Sequence, residues 1–329
     1  MNPDASQKTR IGQIYQSSMK ILFKRRESGL LFVLLLVGLI LSLSTTTFCT
    51  AENLFNVLKQ VSLVAIVAAG QTFIIISGGI DLSVGFILGI SGIIMAYLMN
   101  AGITPLLAIP SALITGVLFG YLNGIFITRL KLPPFIVTLG MASITRGLVL
   151  VITKAFMIPI DNSFVLALGQ GYLGVVPLMA IAMLIIIVVV AFLLDQTVFG
   201  NRVKAIGGNE LAAKLSGIKV DKMKRYVYAL SGLLCGISGI IMAGRLNAGN
   251  PNAGLNFDMD SIAAVIVGGT SLTGGSGSII GSFLGALLLG AVRNGLVLLD
   301  VNMYWQTVAT GVIIIAVCAL DRMTVKKEN

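Results

Sequence analysis

Apolar residues run in long blocks, separated by short polar stretches, from Leu30 almost to the C-terminus. A helix needs roughly 20 mostly apolar residues to cross the hydrocarbon core of a bilayer. The pattern predicts ten spans, near 30–48, 61–77, 84–100, 106–128, 134–153, 173–194, 227–244, 260–276, 279–298 and 302–320. Blocks such as Leu178 to Leu194 are continuous rather than alternating, which argues against a β-barrel. The expected fold is therefore an all-α polytopic membrane protein of about ten transmembrane helices. Residues 1–29 read as an N-terminal tail, 30–320 as the transmembrane domain with a polar loop at 195–226, and 321–329 as a C-terminal tail. No A-x-A-like cleavage site follows the first apolar run, so that run reads as a permanent span rather than a signal peptide.

Composition removes whole classes of function. Of 329 residues, 56% are hydrophobic and 11% are charged, and mean hydropathy is +0.98. Soluble domains carry about 25% charged residues, so a water-soluble enzyme is excluded. There is no histidine, which removes imidazole acid–base chemistry and histidine metal sites. No stretch matches the phosphate-cradling pattern G-x-x-x-x-G-K-[ST]; if ATP drives the protein, another chain binds it. Cys49, Cys235 and Cys318 are far apart and suggest neither a disulfide framework nor a metal site.

Basic residues set the expected orientation. With both termini, the short loop holding Arg129 and Lys131, and the 195–226 loop on the cytoplasmic side, that side holds 18 of the 23 Lys and Arg. Lys59, Arg146, Lys154, Arg245 and Arg293 lie outside or within spans. The net charge of +10 then reflects positive-inside bias and attraction to anionic membrane lipid rather than nucleic acid. Arg146 and Arg293 sit toward span ends, where their side chains are expected to snorkel.

Two glycine-rich interruptions resemble each other. Ile76-Ser77-Gly78-Gly79-Ile80-Asp81-Leu82-Ser83-Val84-Gly85 aligns without a gap, at an offset of 190, with Ile266-Val267-Gly268-Gly269-Thr270-Ser271-Leu272-Thr273-Gly274-Gly275. Matched Gly-interrupted segments in two halves are a transporter signature. A broken helix frees backbone groups that lipid cannot satisfy, so the break lines a polar pathway or is buried in protein. Gly78, Gly79, Asp81, Ser83, Gly268, Gly269, Thr270 and Ser271 are the pathway candidates; close packing through small residues is the competing reading. Asp81 reads as the one carboxylate well inside an apolar region, and thus as a functional candidate. The repeat favours a second reading, the N-cap of the next helix, since Ser271 at the equivalent position is also a capping residue. Gln71, Thr72, Asn123, Thr138, Thr145 and Asn294 are further polar residues within spans, suited to binding a polyol or to bonding between helices.

The 195–226 loop contains one more readable element. Asn209 suits an N-cap and Gly217 a C′ position. Glu210 and Lys214 are spaced for an i,i+4 pair. Leu211, Leu215 and Ile218 share a helical face with no evident partner in the chain. Such a face lies on a membrane surface or docks into another protein.

These three segments, 77–85, 207–218 and 263–272, together resemble the membrane permeases of bacterial ABC sugar importers of the ribose type, and the resemblance covers nearly the whole chain. It implies a coupling helix made of Asn209, Glu210, Leu211, Ala212, Ala213, Leu215, Gly217 and Ile218, docked on a cytoplasmic ATPase. It implies a homodimer in the bacterial inner membrane, ATP and magnesium bound by the ATPase rather than by this chain, and an extracytoplasmic sugar-binding protein. The general permease motif has Glu-Ala-Ala followed by Gly; Leu211 intervenes here, so the match of Glu210 is to the sugar subgroup. Ribose leads as the solute, with other pentoses, hexoses and autoinducer-2 open. Without the resemblance, an ion-coupled secondary transporter is the rival, although one membrane Asp and no His make a poor proton relay.

Overall fold

The computed structural model describes residues 26–302 and scattered positions from 304 to 315. The expected tenth span, 302–320, the basic residues of the tails and Cys318 therefore lie largely outside the described residues. Twelve helices appear among the described residues: α1 Arg26–Ser44, α2 Ala51–Ile76, α3 Val84–Asn100, α4 Pro105–Arg129, α5 Pro134–Thr153, α6 Ser163–Gln170, α7 Leu178–Asp195, α8 Val198–Gly208, α9 Glu210–Leu215, α10 Val220–Leu246, α11 Phe257–Val267 and α12 Ile279–Leu298. Seven of them are long and apolar enough to cross a membrane. The 17-residue α3 is somewhat shorter.

The predicted span 260–276 is not one helix. α11 stops at Val267 after 11 residues, about 16 Å at 1.5 Å per residue, which is half a bilayer. The remaining height is covered by the irregular segment 250–256, packed along α3. Gly249 lies against Ile93 and Ala96, Ala253 against Gly89 and Gly254 against Gly85.

Pairs of contacts define the two ends of the bundle. At one end, which carries α8 and α9 (the loop end), Glu27 meets Ser278 and Gly207 meets Ile76 and Gly275. At the far end, β1 Ile158–Pro159 pairs antiparallel with β4 Ala248–Gly249, and β2 Tyr172–Leu173 pairs with β3 Val176–Pro177. Asn53 of α2 and Asn294 of α12 exchange two 2.9 Å amide bonds near this end.

α10 is the hub, packed on α2, α3, α4 and α6. Its approach to α4 rests on small residues. A Cβ on Gly232 would lie 2.1 Å from the Gly116 carbonyl, and one on Gly120 2.2 Å from the Tyr228 carbonyl. Lipid supplies no hydrophobic drive between helices, so such close packing holds the bundle together. Gly232→Val should lower the unfolding free energy by about 3 kcal/mol, read as a thermal shift of the detergent-solubilised protein. Gly29→Ala, where a Cβ meets nothing within 4 Å, should leave it unchanged.

Candidate functional site

The two interruptions lie close together at the loop end. After α2, Gly78 takes a left-handed conformation (φ 80°); its N–H bonds the Ile75 carbonyl and the Gly79 N–H bonds the Ile74 carbonyl, both at 2.9 Å. After α11, Gly269 (φ 81°) bonds Ile266 at 2.8 Å and Thr270 bonds Val265 at 3.2 Å. Both are Schellman closures, so Gly78 matches Gly269. The structural offset is 191, one more than the ungapped alignment, and Asp81 does not correspond to Ser271.

The capping roles shift accordingly. α3 begins after Ser83 and α12 after Ser278, whose hydroxyl accepts the Gly281 N–H. Ser271 instead closes a tight turn: its N–H bonds the Ser276 carbonyl and its hydroxyl meets that of Thr273 at 2.8 Å. Asp81 is 1% exposed and sits two residues before Ser83. Its Oδ1 accepts the Ser83 N–H at 2.8 Å and the Ser83 hydroxyl at 2.5 Å. Asn123 of α4 donates its amide to Ser83 Oγ at 2.8 Å and to Asp81 Oδ2 at 3.4 Å. Tyr228 of α10 donates its hydroxyl to the Ile80 carbonyl at 3.2 Å. Asp81 thus stitches the break to α4, in an Asx turn rather than a helix cap. Asn123 lies six residues before the end of α4, placing this knot about 9 Å inside the bundle.

Most other polar residues within the spans bond between or within helices. Thr72 meets Ser282 at 2.8 Å, and Thr138 and Thr145 bond carbonyls of their own helix. Gln71 is fully buried, with both amide atoms unpaired among the described residues.

The pathway candidates divide by surroundings. A Cβ on Gly79 would meet the Tyr228 hydroxyl, and one on Gly268 the Gly281 backbone at 2.6 Å; both are close-packing positions. Thr270 and Ser271 are both buried. Gly78 opens onto a cleft with Thr128, Lys131, Glu210, Lys214 and Lys224. Gly268 and Gly269 border another with Glu27, Asp195, Ser276 and Ser278. Both clefts are at the loop end.

α9 is the expected loop helix, shorter than the sequence suggested. Asn209 Oδ1 accepts the Ala212 N–H at 2.9 Å. Gly217 (φ 84°) bonds Lys214 at 3.0 Å, and Ile218 bonds the Ala213 carbonyl at 3.1 Å. Glu210 pairs with Lys224 at 2.6 Å, not with Lys214, because α10 brings a lysine alongside. Leu211 and Leu215 are exposed, at 67% and 81%, together with Ala212, while Ala213 is buried. Ile218 turns inward onto the core, so the unpartnered face consists of Leu211 and Leu215 without Ile218.

Sequence reasoning missed α8, the link between this helix and the breaks. A Cβ on Gly207 would fall 1.7 Å from the Ile76 carbonyl and 2.4 Å from the Gly275 nitrogen, while Gly275 N–H itself bonds Ile76 at 2.9 Å. The end of α8 is therefore wedged against both breaks. The Gly207-Gly208 pair was a usable signal, since adjacent glycines permit such an approach.

Arg293 does not snorkel. It donates two bonds to Asp260 of α11, at 2.9 and 2.8 Å, in bidentate geometry. Asp81 is thus not the only carboxylate inside the bundle. Arg146 lies over the Phe86 ring at 5.8 Å.

Residues 53–318 match the family model described as "Branched-chain amino acid transport system / permease component". The chain belongs to this permease family. The chain is a transport subunit and multi-pass membrane protein rather than an enzyme. It is 42% identical to a ribose import permease of Bacillus subtilis over 291 residues, covering 88% of this chain and 90% of that one. It is 39% identical to a D-allose transport system permease of Escherichia coli over 304 residues, covering 91% and 92%. It is 37% identical to a fructose import permease of Rhizobium meliloti over 284 residues, covering 84% and 79%. No solved structure matches.

The Asp81 knot gives a test. Asp81→Leu leaves the Ser83 N–H and the Ser83 hydroxyl without their acceptor, each worth about 1–3 kcal/mol when buried, and removes the longer of the two Asn123 amide bonds. It should destabilise the solubilised permease strongly, whereas Asp81→Asn, which keeps an acceptor, should shift thermal unfolding far less.

Proposed function

We propose that this chain is the transmembrane permease subunit of an ATP-driven importer for a monosaccharide, with ribose the first candidate, working by alternating access as a homodimer coupled to a cytoplasmic ATPase and supplied by an extracytoplasmic binding protein. The observation that carries the reading is the exposed Leu211/Leu215 face on a capped helix, whose neighbour α8 is seated directly on both broken helices. The ribose, allose and fructose permeases among its relatives support a sugar as solute. The basic loop and tails support a cytoplasmic position for both termini and for α9.

In this reading α9 docks on the ATPase and the chain needs no phosphate chemistry of its own. ATP binding displaces α9, and α8 carries the displacement to the Ile76 and Gly275 backbones. The two Schellman-closed breaks then act as hinges between inward- and outward-open states. In this reading Gly78, Gly79, Asp81, Ser83, Gly268, Gly269, Thr270 and Ser271 border the translocation pathway and serve the gating motion at the loop end. A ligand shifts such an equilibrium only through different affinities for the two states, and ATP supplies that difference from the partner chain.

Leu215→Asp places a carboxylate in the docking contact. Because Leu215 is exposed in the permease, the variant should insert and melt normally. Co-purification with the ATPase and sugar uptake should both fall at least tenfold; if both are unchanged, α9 does not dock.

The energy source has its own test. In vesicles loaded with ATP and supplied with ATPase and binding protein, uptake should survive ionophores that collapse proton and sodium gradients. Uptake by this chain alone, driven by either gradient, would establish a secondary transporter instead.

A further inference from the structure

We infer that the Asp260–Arg293 pair, with Gln60, forms a water-facing contact site for a neutral polyhydroxylated solute midway through the bundle; the solute class rests on the importer reading above.

The position is the first argument. Arg293 lies fourteen residues along α12 and Gln60 sixteen residues before the end of α2, about 21 and 24 Å from the loop end. Asp260 is seven residues before the end of α11, about 10 Å from it. Side chains on a helix tilt toward its N-terminus. α12 runs away from the loop end, so Arg293 reaches down into the bundle, not out to the near interface, and there meets the carboxylate.

The second argument is exposure. The Arg293 side chain is 43% exposed and that of Asp260 13%. Gln60 is exposed on α2, a helix whose following turns are almost wholly buried. These three groups line one cleft with Val61, Leu289 and Gly290. Charged groups at this depth are strongly disfavoured against lipid and face a polar cavity or one another. Asp260 and Arg293 face one another, while part of the Arg293 side chain and Gln60 remain exposed.

The chemistry suits a sugar. The ion pair uses two of the five guanidinium N–H donors and leaves lone pairs on both carboxylate oxygens. A sugar hydroxyl both donates and accepts, so neighbouring hydroxyls can bridge the two groups. The pair carries no net charge and does not favour an ion over a neutral solute. Val61 and Leu289 make the rest of the lining apolar.

The test uses the full transporter in proteoliposomes, with Cys49, Cys235 and Cys318 replaced. Gln60→Cys should react with a charged methanethiosulfonate reagent supplied to both faces, and the modified protein should lose at least tenfold in ribose uptake. No reaction would mean that the cleft faces lipid or protein, and reaction without loss of uptake would mean that solute does not pass there; either overturns the inference. Asp260→Asn should cut uptake at least tenfold while binding-protein-stimulated ATP hydrolysis persists. The double exchange Asp260→Arg with Arg293→Asp rebuilds an ion pair of reversed orientation. It should restore thermal stability without restoring uptake; full recovery of uptake would make the pair a structural tie only. Should the unaltered transporter import no monosaccharide, the importer reading fails, while labelling at position 60 still decides whether the cleft is wet.

Discussion

Backbone that leaves a helix inside a bilayer has no water to bond, and the structure is organised around that constraint. Both interruptions answer it in the same way. A left-handed glycine folds the chain end back on the last turn, so the freed N–H groups find carbonyls of their own helix. What local closure leaves over is met by side chains: Asp81, within the break itself, takes the Ser83 N–H, and Tyr228 of α10 takes the Ile80 carbonyl. The backbone at the breaks is therefore largely bonded within the protein, and its neighbours approach closely. Gly85 against Gly254 and Gly268 against Gly281 are the result.

Much of the fold was legible because the bilayer imposes a single length and a single polarity on each span. α4, α5, α7 and α12 lie close to where runs of apolar residues placed them. The second interruption was harder to read. Residues 260–276 are apolar enough for a span, but Gly268 and Gly269 end the helix at Val267, and the missing height is supplied by residues 250–256, whose Asn, Pro and Gly content looks like an external loop. Apolar content marks membrane depth; it does not report which half of a crossing is helical.

The site was legible in its residue types and less so in its pairings. Asn209 and Gly217 bound α9 as their conformational preferences require. Glu210, though, chose Lys224 over Lys214, since a partner from α10 was not visible in local spacing. Asp81 and Ser271 aligned as letters, yet one residue of slip between the two Schellman closures separates their roles. Arg293 looked like a snorkelling residue until the direction of α12 was known. Each miss concerns a contact between distant segments, where a period along one helix carries no information.

The seating of Gly207 on the Ile76 carbonyl and the Gly275 nitrogen has no side chain in it. Side chains yield by changing rotamer, whereas a contact of backbone on backbone has almost no slack. If ATPase docking moves the closed breaks through this contact, the same contact runs in reverse. Thermodynamic linkage makes the coupling free energy equal in both directions. A permease held in one access state by its cargo would then alter ATPase affinity at α9 by the factor with which the docked ATPase alters cargo affinity.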